Sequence, residues 1–221
     1  ISNRISENSL YSSTYRDEIY INNMEDYLNE IPLLEDCELS NIDFRTYPIE
    51  TSSFINPEHL VAPIPENEEE RLIDVNKFNI DGLHNIDELN IICDTINNEM
   101  KTLCTMVTII DKNSSHVIAA NNKDFINVYP RSESICQHTI MDNKPMLLTN
   151  PEADIRYYNL NQIKKYGVKF YFGVPIKSIN NNILGSLCCI DTNIKDLTVS
   201  QYSIISKFAD TTSKIIEQNI L

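Results

Sequence analysis

Residues 168–176 read Val168-Lys169-Phe170-Tyr171-Phe172-Gly173-Val174-Pro175-Ile176. Apolar side chains stand at every second position. Val168, Phe170, Phe172, Val174 and Ile176 share one face of an extended chain, and Lys169, Tyr171 and Gly173 share the other. The pattern predicts a strand with one face in a core and a second face of different chemistry. The loop Asn180-Asn181-Asn182 then supports a hairpin into Ile183 to Ile190, where Leu184, Ser186, Cys188 and Ile190 alternate with Gly185, Leu187 and Cys189. The two strands are expected to pair.

On the C-terminal side, Thr198-x-x-Gln201 is a capping-box pattern. Behind it Tyr202, Ile205, Phe208, Ala209, Thr212, Ile215 and Ile216 form a wide apolar face on a helix over about 198–219. On the N-terminal side, Asp87 is placed to cap a helix in which Leu89, Ile92, Cys93, Ile96, Met100 and Leu103 lie on one stripe. Thr105 to Ile110 is a β-branched run, Asp111 to Ser114 a turn, and His116 to Ala120 the returning strand of a hairpin. Short helices are predicted over Glu133 to Met141 and about Asn159 to Lys165, the second closed by Gly167. Helix, hairpin, short helices, hairpin, long helix is the order of an α+β domain with a central antiparallel sheet. With glycine only at 82, 167, 173 and 185, a Rossmann or P-loop phosphate cradle is excluded.

Charge divides the chain. Residues 1–70 carry 16 acids and 3 bases, net −13, whereas residues 71–221 carry 16 acids and 15 bases, net −1. The boundaries read as an acidic N-terminal arm over 1–62 and a folded domain over 63–221. In the arm, Tyr20, Met24, Tyr27, Leu28 and Ile31 recur at helical spacing, giving one helix over about 15–31. Beyond Pro32 two readings stand side by side. One is a disordered acidic linker; the other is an extended strap whose Phe44, Tyr47 and Phe54 dock on the domain while its acids meet Lys164, Lys165 and Lys169. The overall charge of −14 argues against nucleic acid as a partner, because phosphate contacts need clustered Lys and Arg. No stretch approaches the roughly 20 apolar residues of a membrane span. The six cysteines show no repeated C-x-x-C spacing and no metal-ligand grouping, which points to a reduced, cytoplasmic compartment. The chain opens on Ile1 rather than Met, as an excised fragment would.

Several phrases occur in a fixed order: Pro65-Glu66-Asn67-Glu68 with Arg71-Leu72; Pro130-Arg131 through Ser134-x-Cys136-x-His138-x-Ile140; Asp154-x-Arg156-Tyr157; Lys169 to Ile176; and Leu184-Gly185-Ser186-Leu187-Cys188-Cys189-Ile190-Asp191. Over about residues 63–219 they make the chain resemble a GAF domain of the signalling type found ahead of bacterial and fungal histidine kinases. The resemblance implies a central antiparallel sheet with the terminal helices packed on one face and short helices and loops over a pocket on the other. It also implies a sensory or regulatory, non-catalytic module. Its partners would be a small-molecule ligand, a second copy of the chain held through the terminal helices, and a downstream kinase or other output domain. Ser134 to Ile140 does not reproduce the bilin-attachment neighbourhood of phytochrome-type members. Asn76-Lys77-Phe78 lies at the start of the fold and lacks the acids of the cyclic-nucleotide signature. No cofactor is identified.

The candidate ligand-contact residues are Arg131, Cys136, His138, Asp154, Arg156, Tyr157, Tyr171, Gly173 and Cys189. Arg131 and Arg156, with Asp154, are read as a salt bridge or anion site at the pocket rim. On a helix, residues two apart diverge, so Cys136 and His138 cannot aim at one centre. One is expected to face the pocket and the other to pack or cap. Gly173 and Gly185 leave bare backbone for a ligand, another segment or sheet curvature. Of Cys188 and Cys189 one belongs to the core and the other lines the pocket, with Cys189 assigned to the pocket. Tyr202, Ile205, Phe208, Ala209, Thr212 and Ile216 are assigned to helix packing or dimerisation. A thiol-dependent reductase of the free methionine sulfoxide type, using Cys136 or a strand cysteine, and a ligand-free dimerisation scaffold are the other two readings.

Overall fold

The structure, a computed structural model, describes residues 63–154 and 157–219. The acidic arm, its expected helix and strap, and Arg156 lie outside the described residues. Three helices open the domain: α1 (Glu68–Val75), α2 (Ile80–Leu83) and α3 (Asp87–Met100). The hairpin β1 (Cys104–Ile110) and β2 (Ser114–Ala120) follows, then β3 (Val128–Pro130), the single turn α4 (Cys136–Thr139) and β4 (Met146–Leu148). The domain closes with α5 (Asn161–Lys164), the hairpin β5 (Phe170–Lys177) and β6 (Ile183–Asp191), and the long helix α6 (Val199–Glu217). The strands form one six-stranded sheet in the order β3-β2-β1-β6-β5-β4, with every neighbouring pair antiparallel. The α+β architecture expected from the sequence is the one observed.

Alternation along the strands separates two buried layers. Val107 and Ile109 of β1, Phe170, Phe172, Val174 and Ile176 of β5, and Leu184, Leu187 and Cys189 of β6 pack with α3 and α6. Cys104, Met106 and Ile110, Tyr171, and Ile183, Cys188 and Ile190 point to the other side, where α4 and α5 lie. On the helix side, α6 packs on α3, β5 and β6. Ile205, Ala209, Thr212 and Ile216 are buried there, and Tyr202 and Phe208 pack half-buried against the same layer. These four buried residues are covered by the chain's own core, so their surface is not open to a second copy. The capping box is formed: Gln201 N–H donates to Thr198 Oγ1 and Thr198 N–H to Gln201 Oε1, both at 3.1 Å.

Several expectations are corrected. Asp87 is the first helical residue of α3 and Ile86 precedes it as the cap, so the Asp87 carboxylate acts only as a charge in the first turn. That helix stops at Met100 because Lys101 turns left-handed at φ 50°, and Leu103 is left 40% exposed. Val168 precedes the strand and joins the opposite layer from Phe170. Leu184 shares a face with Leu187 rather than with Ser186. The register slips where Lys177 pairs with Ile183 and Ile176 with Gly185, so the bulge inverts the alternation at its N-terminal end. A Cβ at Gly185 would come 1.8 Å from the Thr108 carbonyl oxygen, which is why no larger residue fits that close approach. The predicted helix over 133–141 is reduced to α4 after a 3-10 turn at Arg131–Glu133. The sequence reading did not anticipate α1, α2, β3 or β4.

Helix α1 is fastened to the turn between β5 and β6 by polar contacts. Asp74 accepts from Ser178 Oγ at 2.6 Å, Asn182 Nδ2 at 2.8 Å, Asn180 Nδ2 at 2.9 Å and Lys77 Nζ at 2.5 Å. Burial alone would raise this carboxyl, but the Lys77 ammonium and the hydroxyl and amide donors outweigh it and hold Asp74 well below the usual carboxylate range.

Candidate functional site

The second layer is built over the centre of the sheet. Helix α4 packs on β6, β5 and β1. Its position is set by polar side chains just before it and across from it: Cys136 N–H donates to Ser134 Oγ at 3.2 Å, Ser115 Oγ donates to Ser134 Oγ at 3.1 Å, and Ile135 N–H donates to Gln162 Oε1 at 2.8 Å. Helix α5 is closed by Gly167 at φ +65°, whose N–H donates to the Ile163 carbonyl at 3.0 Å.

Beneath α4 the sheet contributes thiols and hydroxyls. The Cys136 sulfur lies 3.6 Å from the Cys188 sulfur and 3.7 Å from Thr108 Oγ1. The Tyr171 hydroxyl pairs with Thr139 Oγ1 at 2.5 Å. Among the described residues, Gln137 Oε1 and Ser186 Oγ are buried without a nitrogen or oxygen partner, as are Arg131 Nε, Ser206 Oγ and Thr212 Oγ1, and Ser186 Oγ faces the Cys136 sulfur. The Gln137 amide nitrogen donates to the Ser132 carbonyl at 3.1 Å. The His138 ring meets the Tyr157 ring edge-on, with centroids 4.8 Å apart at 86°.

The electrostatics of this layer follow from the pairing. The Cys188 S–H beside Cys136 stabilises a thiolate there; against burial, and with help from Ser186, Tyr171 and Thr108, it holds the Cys136 thiol below its ordinary value. Cys188 moves the opposite way, pushed up by its hydrogen bond to Cys136 and by burial. Burial raises Tyr171 well above the ordinary phenol value, and the neighbouring thiols add to that. In the same layer burial pushes Cys104 up to about 11, and on the helix side it pushes Cys189 up to about 12.

Of the residues singled out from sequence, Cys136, His138, Tyr157 and Tyr171 come together in or against this layer. Asp154 starts the turn leading into it, its carbonyl accepting from Tyr157 and Tyr158 N–H at 3.0 and 2.9 Å. Three assignments change. Cys189 faces the helix side with its sulfur 3.3 Å from Thr105 Oγ1. It pairs directly opposite Phe172, and opposed residues share a face, so Cys188 is the cysteine beneath α4. The gap at Gly173 is filled by the chain itself: a Cβ there would lie 2.3 Å from the Tyr171 hydroxyl oxygen. Arg131 is buried against Glu68 and the carbonyls of Pro63 and Asp111. It shares that carboxylate with the fully buried Arg71, which donates to Glu68 Oε2 at 2.8 Å and to the Ile110 carbonyl at 2.7 Å. Arg131 is therefore held at the start of the domain, beside β3 and α1.

Sequence reasoning missed Cys188, Ser186, Gln137, Thr108 and Thr139 as members of the layer. Pairing Phe172 with Cys189 would have located Cys188 and Ser186. Nothing in the spacing marks Gln137 or Thr139, because a four-residue helix has no periodicity to read. Among the described residues, no group of three or more His, Cys, Asp and Glu could hold a metal ion. Among the same residues, no helix is long and apolar enough to cross a membrane.

Comparison with solved structures places this architecture. The GAF domain of the phosphoenolpyruvate-protein phosphotransferase from Acinetobacter is similar, with a TM-score of 0.51 and 17% identity, over 68% of this chain and 90% of that one. The type II free methionine-R-sulfoxide reductase from Thermoplasma acidophilum gives 0.51 at 9% identity, over 65% of this chain and 99% of that one. The phycocyanobilin-bound GAF domain from a cyanobacterial phytochrome gives 0.50 at 13% identity, over 71% and 97%. Identities this low establish a shared fold alone. No curated protein matches the sequence. The sequence model of the GAF domain matches residues 87–216, from the first turn of α3 to the end of α6 and so across the whole sheet, and the chain belongs to the GAF domain family.

Proposed function

We propose that the chain is the sensory or regulatory GAF module of an intracellular, cytoplasmic signalling protein, non-catalytic in itself. A small ligand or partner on the α4 face biases the packing of α3 and α6. The observation that carries this reading is the polar set buried around α4, Gln137 Oε1 without a partner and Ser186 Oγ with only the Cys136 sulfur, beside the hydroxyls of Thr108, Thr139 and Tyr171. A buried polar atom without a partner costs about 1–3 kcal/mol, and a ligand that supplied a donor or acceptor would offset it. Helix α4 rests on β5 and β6, the same strands that carry α6 on the reverse side. A ligand shifts the helices only by its differential affinity for their two arrangements.

The proposed contact set is Cys136, Gln137, His138, Tyr157, Tyr171 and Ser186, with Asp154 beside them and Arg156 retained from the sequence reading. The acidic arm over 1–62 is a separate segment from the domain over 63–221. The output is a kinase or other effector domain. Dimerisation uses α6 through Phe208, which is half-buried and adjoins the exposed Lys207 and Asp210.

Native mass spectrometry of the protein purified from its own source tests both halves at once. The expected species is a dimer carrying a small molecule. Ser186→Ala with Gln137→Leu loses the ligand mass and keeps the dimer, whereas Phe208→Asp loses the dimer and keeps the ligand mass. An empty dimer favours the scaffold reading, and an empty monomer overturns the proposal. The reductase reading draws on the proximity of Cys136 and Cys188. Turnover of free methionine sulfoxide with a thiol reductant, abolished in Cys136→Ala, would replace the sensor reading.

A further inference from the structure

We propose that Cys136 and Cys188 are a redox-active dithiol, which peroxides convert into an intrachain disulfide that fastens α4 to the centre of the sheet. This holds whether or not the α4 face takes a ligand. The two sulfurs are 3.6 Å apart and come from elements 52 residues distant in sequence. A disulfide needs about 2 Å, so closure asks for a sulfur displacement of about 1.5 Å. Closure along this path is by side-chain rotation and a settling of α4 that brings the two Cα atoms within about 7 Å of each other.

The other described cysteines are placed differently. Cys93 and Cys189 lie on the helix side of the sheet. Cys104 shares the α4 layer, but its sulfur donates to the Thr105 carbonyl at 3.6 Å. Cys188 and Cys189 are neighbours on a strand and point to opposite faces. Around Cys136, Thr108 Oγ1 stands 3.7 Å from the sulfur and the fully buried Ser186 hydroxyl, with no nitrogen or oxygen partner, faces the same sulfur. These are the donors a buried thiolate requires.

The reaction balances in two steps. The Cys136 sulfur attacks an oxygen of a hydroperoxide, ROOH; the O–O bond breaks, Cys136 becomes a sulfenic acid, and the thiol proton leaves on the alcohol ROH. The Cys188 sulfur then attacks the sulfenic sulfur. The S–S bond forms, the S–O bond breaks, and hydroxide departs as water with the Cys188 proton. Two electrons pass from the two sulfurs to the peroxide. A dithiol reductant reverses the change by thiol–disulfide exchange. Cys136 is 3% and Cys188 0% exposed, so the oxidant enters when α4 opens. All four residues of α4 are buried, so that opening is a local unfolding of the turn away from the sheet. Oxidation therefore traps the closed arrangement.

The reduced full chain is exposed to hydrogen peroxide, alkylated, digested and mapped by mass spectrometry. The expected product is a peptide pair joined through Cys136 and Cys188, lost again on treatment with dithiothreitol. In Cys188→Ala the sulfenic acid has no resolving thiol, and dimedone is expected to label Cys136. A bridge to any other cysteine, full alkylation of both Cys136 and Cys188 after peroxide, or dimedone on a different cysteine in the variant overturns the proposal.

Discussion

On the helix face of the sheet, Phe170, Phe172, Ile109 and Leu187 meet Ile96, Ile205 and Ile216, and the polar groups among them, Thr105 and Thr212, are outnumbered by aliphatic and aromatic side chains. Across the same strands, Thr108, Ser186, Cys136, Cys188, Tyr171 and Thr139 stand among the apolar side chains under α4. A buried polar group costs free energy unless it is paired. The first face can therefore supply most of the stability, and it leaves the second free to carry chemistry. Strand alternation makes the division possible: Tyr171 and Phe172 are adjacent in β5 and fall in different layers.

Those two residues give the largest expected difference. Phe172 is fully buried, packing near Tyr202 with ring centroids 5.7 Å apart. Phe172→Ala removes an aromatic from the helix face and is expected to cost about 3–5 kcal/mol. Tyr171→Phe removes only a hydroxyl, and the expected loss is about 1 kcal/mol. Urea unfolding of the two variants measures both. Equal losses would mean that the α4 face is as important to the fold as the helix face, and the division would fail.

Asp74 sharpens the comparison, because here a polar cluster supports the fold and borders no ligand face. Asp74→Ala leaves Ser178, Asn180 and Asn182 without their acceptor, for an expected loss of about 2–3 kcal/mol. The pH dependence has a definite sign. Because the folded-state pKa is depressed, the contribution is complete above the unfolded-state value of about 4 and fades as pH falls toward the folded value. Glu68, lowered by Arg71 and Arg131 against burial, acts in the same direction. The stability of wild type should therefore drop more steeply below about pH 4 than that of Asp74→Asn. Parallel acid limbs in the two proteins would remove Asp74 as the cause.

The helix face was legible in the sequence because long elements repeat their signal. The period of β5 was read from Phe170, Phe172, Val174 and Ile176, and that of α6 from Ile205, Ala209, Thr212 and Ile216. The α4 face was only partly legible. Tyr171 follows from alternation, but alternation alone does not say which face of β6 lies under α4, and the bulge at Ile183–Gly185 puts Leu184 on the helix side. Arg131 was placed at a rim because its partner, Glu68, is 63 residues away in a helix the spacing did not reveal. Contacts made across such distances by single side chains leave no local pattern to find.

The smallest effect separates the two faces by the extent of what it loosens. Thr198→Ala breaks the capping box of α6, with an expected cost of about 1 kcal/mol. Because α6 packs on α3, β5 and β6, that loss belongs to the whole fold, and amide exchange should quicken throughout the helix-face core. Ser134→Ala removes the acceptor for Cys136 N–H and for Ser115 Oγ, at the foot of a helix of four residues. Its expected effect is faster exchange at α4 alone, with the strands and α6 unchanged. If Ser134→Ala instead loosened the strands under α6, the two layers would unfold as one unit, and α4 could not open to oxidant or ligand while the helix face stayed closed.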